Sequence, residues 1–213
     1  MSQAQLSSAV HMVAVRDDVV VLDVTADQYA CLVGAADVLA FPHPGVVVAP
    51  PEVLDQLKAA GHLNEATSPD TVRRSPVTAT GELSLSCASG RLRALDTALR
   101  TLTATARFRQ RTLAELVAPN TGSRSPQSGR DTGRLVTRAA AYRSVLPLVP
   151  FEGLCLQRAY QLRQVLASDG LVVDWVFGVR TWPFFAHCWL QHGDLVVADR
   201  IERVRAFTPI AVF

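Results

Sequence analysis

Three reactive side chains in the last third of the chain constrain its fold more than any other feature. Cys155 opens a segment of helical periodicity, His187 lies in an extended apolar run, and Asp199 ends the next such run. A thiol nucleophile, an imidazole that moves its proton and a carboxylate that orients the imidazole form the catalytic group of many cysteine enzymes. The order of the three residues therefore predicts a helix followed by antiparallel strands that bring them together.

The position of Cys155 in its helix favours a reactive thiol. Cys155, Ala159, Leu162 and Leu166 recur at spacings of four, three and four, so they share one face of a helix that Asp169-Gly170 ends. The thiol lies in the first turn, where free backbone N–H groups and the helix dipole favour the thiolate. A free cysteine is also a common core residue, so the assignment depends on the strands that follow.

These strands are joined by a short turn at His192-Gly193-Asp194. Side chains alternate along a strand, so His187 and Trp189 face one side of the sheet and Cys188 faces the other. A three-residue turn places Asp199 opposite His187, whereas a two-residue turn places it opposite Cys188. The catalytic interpretation needs the three-residue turn.

Each of these residues also has a purely structural explanation. His187 alone is typical of a core histidine, and Asp199 alone of a strand-end cap. Cys188, on the opposite face from His187, is expected to be a packing residue. If Asp199 lies beyond hydrogen-bond distance of the ring, Asp194 is the next candidate for the orienting carboxylate.

Four motifs in this region carry a family resemblance. They are Cys-Leu-x-Arg-Ala-x-x-Leu from Cys155, Gly-Val-Arg-Thr-x-Pro-Phe from Gly178, Ala-His-x-Trp-Leu from Ala186 and Val-x-Asp from Val197. In this order they resemble the leader peptidases of lasso peptide biosynthesis, which are transglutaminase-like cysteine proteases. The match runs from about residue 151 to the C-terminus. Leu190-Gln191 replaces the family's usual Val-Glu, and Cys188 takes a position that is usually small or hydroxylic.

The resemblance implies a function and a set of roles. Cys155, His187 and Asp199 would be the nucleophile, the base and the orienting carboxylate. The backbone N–H of Cys155 would donate to the oxyanion, with Gln157 as a candidate second donor. The reaction would remove the leader of a ribosomally made lasso precursor after the penultimate leader threonine. It would depend on an ATP-using, asparagine-synthetase-like cyclase partner, although no nucleotide site and no cofactor site is recognisable in this sequence.

The first 66 residues have a different pattern. Strand-like runs at 9–15, 19–24 and 28–33 are followed by a helix at 52–60 that Gly61 ends. This order predicts a small winged-helix-like unit. The apolar pattern of Val19-Val20-Val21-Leu22-Asp23 and of Gln28-Tyr29-Ala30-Cys31-Leu32 resembles the PqqD-like leader-recognition domain of ribosomal peptide pathways.

The third of these runs is expected to lie at a sheet edge, because a crossing segment and not a tight hairpin follows it. An exposed edge can pair with an extended peptide. The alternative is that the strand is interior and the unit only packs on the peptidase. The expected leader contacts are Gln28, Tyr29, Ala30, Cys31, Leu32 and Val33 of this strand, with Leu54 or Leu57 of the following helix lining a pocket.

Charge separates the two ends of the chain. Residues 1–66 hold two bases and eight acids, a net charge of −6, and residues 67–213 hold 19 bases and 11 acids, a net charge of +8. The acidic balance excludes the DNA-binding role that winged helices often have, because DNA affinity needs lysine and arginine against the phosphates. No apolar run is long enough for a membrane span, so no membrane partner is expected.

The four cysteines, at 31, 87, 155 and 188, show no CxxC spacing and predict free thiols in a reducing cytoplasm. No zinc-ligand spacing is present either. No metal site is therefore expected.

The middle of the chain links the two units. Residues 67–90 read as a linker, with a short strand at 82–86, and 120–134 as a mobile loop before a helix at 135–146. A helix is expected at 91–118, interrupted at Arg109. Its six arginines indicate either a solvated face or a surface for a partner enzyme or an acidic substrate segment. Its expected apolar face consists of Leu92, Leu95, Leu99, Leu102, Ala106, Leu113 and Leu116.

The predicted fold is α+β, with a winged-helix-like recognition unit at 1–66, a linker at 67–90 and a papain- or transglutaminase-like domain at 91–213. Leader removal is the predicted function. A transglutaminase-like acyltransferase or amidase acting on another peptide uses the same triad and is the enzymatic alternative. A non-catalytic peptide-binding adaptor is the alternative that lacks an enzyme activity.

Overall fold

The computed structural model describes residues 1–64, 73–85, 90–118, 130–148 and 154–213. Everything said about the structure concerns these residues. Within them, no helix is long and apolar enough to cross a membrane. Cys87 and residues 120–129 of the loop predicted at 120–134 lie outside the described residues. The rest of that prediction is wrong, because a helix begins at Arg130 and not at 135.

The N-terminal unit contains a three-stranded antiparallel sheet and a separate strand pair. Strands β2 (Val10–Val15), β3 (Asp18–Asp23) and β4 (Gln28–Leu32) lie in that order. Strand β1 (Ser2–Gln5) pairs with β5 (Val46–Ala49), and helix α1 (Pro51–Ala59) follows at once. The β1–β5 pair was not expected from the sequence. Between β4 and β5 the chain forms one 3₁₀ turn at Ala35–Asp37.

Strand β3 is buried on both faces. Val19 and Val21 pack into the N-terminal core with α1, whereas Val20 and Leu22 pack into the core of the C-terminal unit. This explains the unbroken apolar run at 19–22, since a half-exposed strand would alternate. The two units therefore share a continuous core.

Two of the expected leader contacts belong to this core. Leu54 and Leu57 are only 9% and 7% exposed, because α1 directs them toward β3. They therefore do not line an open pocket, which corrects the expectation. Strand β4, in contrast, is the last strand of its sheet, so its outer edge has no partner strand in the described part of the chain.

The C-terminal unit packs four helices on one face of a five-stranded sheet and a fifth, short helix on the opposite face. Its helices are α2 (Arg91–Phe108), α3 (Leu113–Val117), α4 (Arg130–Val145), α5 (Cys155–Ala167) and α6 (Ile201–Val204). Its strands are β6 (Gly81–Glu82), β7 (Asp174–Arg180), β8 (Phe185–His192), β9 (Leu195–Val197) and β10 (Thr208–Val212). Their order is β10-β7-β8-β9-β6, antiparallel except for β6 beside β9. Neither α6 nor β10 was expected from the sequence.

Helix α2 packs with its threonines inward, and the expected apolar face is wrong. Thr97, Thr101 and Thr105 are buried, whereas four of the expected leucines point to solvent. The buried face is polar but satisfied: the Gln161 amide donates to Thr105 Oγ1 at 2.8 Å, and the Tyr142 hydroxyl donates to Gln161 Oε1 at 2.8 Å. Helix α2 ends at Phe108, and a new helix follows because Thr112 caps α3 reciprocally with Glu115.

We expect Gln161→Ala to lower the free energy of unfolding by about 1–3 kcal/mol, because it removes the two hydrogen bonds through which Gln161 joins the Thr105 and Tyr142 hydroxyl groups. Chemical denaturation measures the change. Gln164→Ala on the same helix, at a partly exposed position, is the control and should cost less than about 0.5 kcal/mol. Equal costs for the two variants would show that the buried network does not hold α2.

Candidate active site

Cys155 is the first residue of α5, and Leu154 before it is still extended. The Cys155 side chain is half-buried, at the end of the helix where backbone N–H groups are unpaired. Strand β9 stops pairing with β8 at Leu190. The edge of β8 around His187 and Cys188 is therefore open to the start of α5.

His187 and Asp199 form the shortest polar contact of the site. His187 Nε2 lies 2.6 Å from Asp199 Oδ2, and the two side chains are 11% and 16% exposed. The other carboxylate oxygen accepts a hydrogen bond from the backbone N–H of Arg200 at 2.8 Å and lies 3.4 Å from the Arg203 guanidinium. Because both carboxylate oxygens are held, Asp199 fixes the orientation of the imidazole ring.

The turn that was thought necessary for this contact is not the one observed. His192 pairs with Leu195 and Leu190 with Val197, so the turn has two residues and not the expected three. In that register a continued strand would place Asp199 opposite Cys188. The ladder instead ends at Val197, and Ala198 adopts φ +59°, a left-handed conformation that is uncommon for alanine. This bend brings Asp199 to His187.

The alternative carboxylate does not take part. Asp194 lies in the two-residue turn, where it accepts a hydrogen bond from the Thr80 hydroxyl. It is exposed, whereas Asp199 is largely buried. The orienting role therefore falls to Asp199.

The electrostatics favour a thiolate beside an imidazolium. Because His187 Nε2 contacts Asp199, Nδ1 is the ring nitrogen that remains for Cys155. Burial alone would lower the pKa of His187, but hydrogen bonds to Asp199 and to Cys155 raise it to about 9. Burial alone would likewise raise the pKa of Asp199, yet the bonds from His187 and from the Arg200 backbone hold it below its ordinary value.

Cys188 is more than the expected packing residue. It is 4% exposed, in agreement with packing, but its thiol also interacts with the Cys155 sulfur strongly enough to couple their pKa values. That interaction, with the His187 ring and the Cys188 backbone N–H, outweighs burial and lowers the pKa of Cys155 to about 4. The same interaction raises the pKa of Cys188 well above its ordinary value, so Cys188 stays protonated beside the thiolate.

A cavity of about 380 Å³ opens beside the triad. It is large enough for a few peptide side chains. Its apolar wall includes Leu162, Trp189 and Phe207, and its rim carries exposed arginines at 143, 158 and 203. An extended peptide with apolar and acidic side chains fits this lining.

Two supporting residues escaped the sequence analysis. The Phe207 ring lies 5.3 Å from the His187 ring on the face of the sheet opposite α5. Gly178 pairs with His187 in the β7–β8 ladder, and a Cβ atom there would lie 2.7 Å from the Trp189 ring. A glycine inside an apolar strand is the one signal that could have indicated this close approach. Nothing in the sequence marked Phe207.

Gln157 remains a prediction as the second oxyanion donor. Its Nε2 is buried and has no hydrogen-bond partner among the described residues. Two positions along a helix correspond to a rotation of about 200° from Cys155. The Gln157 side chain therefore leaves α5 on the side opposite Cys155.

The N-terminal unit reaches the rim of the site. Trp182, in the loop before β8, donates its indole N–H to Asp18 at 2.7 Å. The Tyr29 ring of β4 lies 5.7 Å from the Phe184 ring in the same loop. Burial raises the pKa of Tyr29, and negative charge at Cys155 raises it further, so the phenol lies within electrostatic reach of that sulfur. Of the other expected leader contacts, Gln28, Ala30, Cys31 and Val33 are exposed and Leu32 is half-buried.

The transglutaminase-like superfamily model matches residues 92–212, more than half of the chain. The chain belongs to the transglutaminase-like superfamily. This superfamily contains cysteine enzymes of the protease and acyltransferase type, and the match confirms the expected α+β class with a transglutaminase-like C-terminal domain.

A more specific similarity is short. Over 49 residues the chain is 39% identical to the microcin J25-processing protein McjB of Escherichia coli. The matched segment covers 23% of this chain and 24% of McjB, about a quarter of each. No solved structure matches the chain. The N-terminal unit has no match in these comparisons that would assign it to the PqqD-like domains.

We expect Asp199→Asn to move the alkaline limb of the pH–kcat/KM profile to lower pH. Asp199 raises the pKa of His187, so its removal lowers that pKa from about 9, and the imidazolium is lost earlier as the pH rises. An NMR titration of the ring proton measures the same pKa directly. Asp194→Asn is the control and should leave both unchanged. A shift of the His187 pKa in Asp194→Asn and none in Asp199→Asn would assign the orienting role to Asp194.

Proposed function

We propose that the protein is a cysteine peptidase that removes the leader of a ribosomally made lasso peptide precursor. The observation that carries the proposal is the Cys155, His187 and Asp199 arrangement within a transglutaminase-like domain. The substrate class is supported by the lasso-peptidase motifs of the sequence and by the local similarity to McjB, a protein named for processing microcin J25.

Catalysis begins from the thiolate. With the pKa of Cys155 near 4 and that of His187 near 9, the charged pair predominates at neutral pH. The sulfur attacks the scissile carbonyl carbon, and the backbone N–H of Cys155 faces the developing oxyanion. His187 Nδ1 gives its proton to the leaving amine. Water activated by His187 then hydrolyses the thioester and releases the leader.

Leader recognition by the edge of β4 is the second part of the proposal. Val15 and Asp18 flank a two-residue turn, so they form a hydrogen-bonded pair. Because such pairs alternate along an antiparallel ladder, Val21 bonds toward Ala30 of β4. The backbone groups of Tyr29 and Cys31 therefore point to the free edge.

A peptide paired with this edge would approach the catalytic cavity. Tyr29 packs on Phe184, and the next residue, Phe185, lines the cavity. A leader held on β4 can therefore place its C-terminal end beside Cys155. The acidic balance of this unit suits a basic leader better than nucleic acid.

The ATP-dependent, asparagine-synthetase-like cyclase belongs to the proposal as the partner that takes up the released core peptide. It follows from the family resemblance, since the released core must still be closed into a ring by a reaction that needs activation.

The acyltransferase alternative shares the triad and the superfamily. The products distinguish the two, because hydrolysis adds one water across the cleaved bond, whereas transfer to an amine joins the acyl group to that amine. Mass spectrometry distinguishes the products. Without added amine, a peptidase should release the leader as a free carboxylic acid. With hydroxylamine added, the acyl-enzyme of either enzyme should transfer its acyl group to hydroxylamine. An adaptor would leave the peptide intact.

Cys155→Ala is expected to abolish cleavage of a lasso precursor peptide, by about 10³-fold or more, while leaving leader affinity unchanged. Chromatography follows cleavage, and fluorescence anisotropy with a labelled leader follows binding. Cys31→Ala removes a thiol outside the catalytic cavity and should keep the turnover rate. Full cleavage by Cys155→Ala would refute the mechanism.

Cys31→Pro is expected to weaken leader binding at least about tenfold, because proline removes a donor from the free edge of β4 without breaking the β3–β4 ladder. The measurement uses full-length Cys155→Ala protein, since the shared core makes an isolated N-terminal fragment unsuitable. Cys31→Ala is the matched control and should bind the leader normally. Unchanged affinity in a folded Cys31→Pro protein would place leader recognition elsewhere.

A further inference from the structure

Two cysteines meet at the catalytic cavity. Cys155 begins α5, Cys188 lies in β8, and both line the cavity of about 380 Å³. Helix α5 packs directly on β8, and Cys188 belongs to the same core cluster as Ala159 and Leu162 of that helix. The backbone N–H and the thiol of Cys188 both reach the Cys155 sulfur. An acyl-enzyme forms on one sulfur only, so the second thiol is available for a reaction of its own.

The two sulfurs need little movement to form a bond. Cys155 and Cys188 are both free thiols in the structure, and a disulfide holds its sulfurs about 2.05 Å apart. Because the two sulfurs are already neighbours, rotation of the two side chains can close the remaining distance. The packing of α5 on β8 keeps the reduced pair together.

The two thiols differ in reactivity, which sets the order of events. Cys155 is half-buried at the cavity, and its interactions with Cys188 and His187 lower its pKa to about 4, so it is a thiolate at neutral pH. Cys188 is buried, and its contact with Cys155 raises its pKa, so it remains a thiol. Hydroperoxides oxidise accessible thiolates in preference to thiols. An oxidant therefore reaches and oxidises Cys155 first.

Exposure alone does not produce this reactivity. Cys31 in β4 is exposed, but desolvation and the charge of Asp18 raise its pKa, so it stays protonated at neutral pH. It is therefore expected to react slowly with a hydroperoxide. The chain thus contains an exposed thiol that lacks activation, and this thiol serves as an internal control.

We propose that Cys155 and Cys188 form a reversible, peroxide-sensitive disulfide at the catalytic cavity. The oxidant is a hydroperoxide and the reductant is a dithiol. The disulfide blocks the nucleophile, so cleavage stops until the bond is reduced. This effect on cleavage rests on the proposed function, whereas formation of the disulfide does not.

The reaction has two balanced steps. The Cys155 thiolate attacks an oxygen of the hydroperoxide, an S–O bond forms as the O–O bond breaks, and the leaving oxygen takes a proton and departs as an alcohol or water. The Cys188 sulfur then attacks the resulting sulfenic acid. An S–S bond forms, the S–O bond breaks, and the Cys188 proton leaves with the hydroxyl group as water. The two sulfurs lose two electrons, which the peroxide gains.

The position of Cys188 protects the nucleophile. A sulfenic acid without a neighbouring thiol is oxidised further to sulfinic and sulfonic acids, which thiols do not reduce. Cys188 lies beside the sulfenic sulfur as soon as it forms, so the intramolecular step competes with a second peroxide molecule. A dithiol then returns both cysteines to thiols by exchange.

The test treats the full-length protein with hydrogen peroxide at neutral pH, blocks the remaining thiols with iodoacetamide and maps the tryptic peptides by mass spectrometry. The chain has four thiols, of which two should become unreactive. Peptides 144–158 and 181–200, which carry Cys155 and Cys188, should be joined, and dithiothreitol should separate them. Cleavage of a lasso precursor peptide should fall at least about tenfold and return after dithiothreitol.

Two variants locate the pair. In Cys188→Ala the nucleophile has no resolving thiol, so peroxide should convert Cys155 to the sulfinic acid. Dithiothreitol should then fail to restore the cleavage rate of this variant, measured against its own untreated protein. Cys31→Ala removes the exposed, unactivated thiol and should still give the joined peptides reversibly. The mass measurement needs no turnover, so it reports on the pair whatever the cleavage rate of a variant.

The disulfide is refuted by sulfinic acid at Cys155 of the unsubstituted protein without joined peptides, by a bond from Cys155 to Cys31 or Cys87, or by full recovery of Cys188→Ala. Joined peptides in a protein that cleaves no lasso precursor would support the disulfide and contradict the proposed function. Cleavage in a protein that never gives the joined peptides would do the reverse.

Discussion

The 2.6 Å contact between His187 and Asp199 sets the chemistry of the whole site. Because it occupies Nε2, the ring offers only Nδ1 to Cys155, and because it supplies a buried negative charge, the imidazole stays protonated at neutral pH. The thiolate then has a cation beside it and a helix N-terminus beneath it. Without this carboxylate the ring would lose both its orientation and its charge, and the proposed nucleophile would lose its activation as well.

A strained backbone position supplies this contact. The sequence predicted the contact itself but not the backbone route to it. The helical spacing of Cys155 and the alternation around His187 predicted the elements and brought the three residues to one region. The turn length was predicted wrongly, and Asp199 reaches His187 only because Ala198 takes a positive φ. Glycine or asparagine would have indicated such a bend, whereas alanine gives no sign of it. The alternation of side chains along β8 likewise predicted that Cys188 points away from the His187 ring. Because β9 leaves this edge of β8 open, both His187 and Cys188 reach the Cys155 sulfur.

Helix α2 shows the opposite limit of pattern analysis. Its leucines follow helical spacing well, so a hydrophobic face toward the core was the natural expectation. Burial was instead decided by threonines, which bond back to their own helix, for example Thr101 to Thr97 at 2.8 Å, and meet the Gln161 amide. Periodicity finds a helix and a stripe, but it does not say whether the stripe meets the same chain or another one. Only the satisfied polar face settles which side is inside.

The shared core gives the proposed peptide-binding edge and the proposed catalytic centre a fixed relation. Val20 and Leu22 of β3 are anchored in the same cluster as Ala159 and Leu162 of α5, and Asp18 holds the Trp182 indole across the same boundary. A flexible tether would give a bound leader only an increased local concentration near the thiolate. A rigid connection also fixes direction, because the edge of β4 cannot rotate relative to α5. The register at which the leader pairs with β4 would then determine which peptide bond lies beside Cys155, so cleavage position becomes a matter of strand pairing and leader length as much as of the side chains in the cavity.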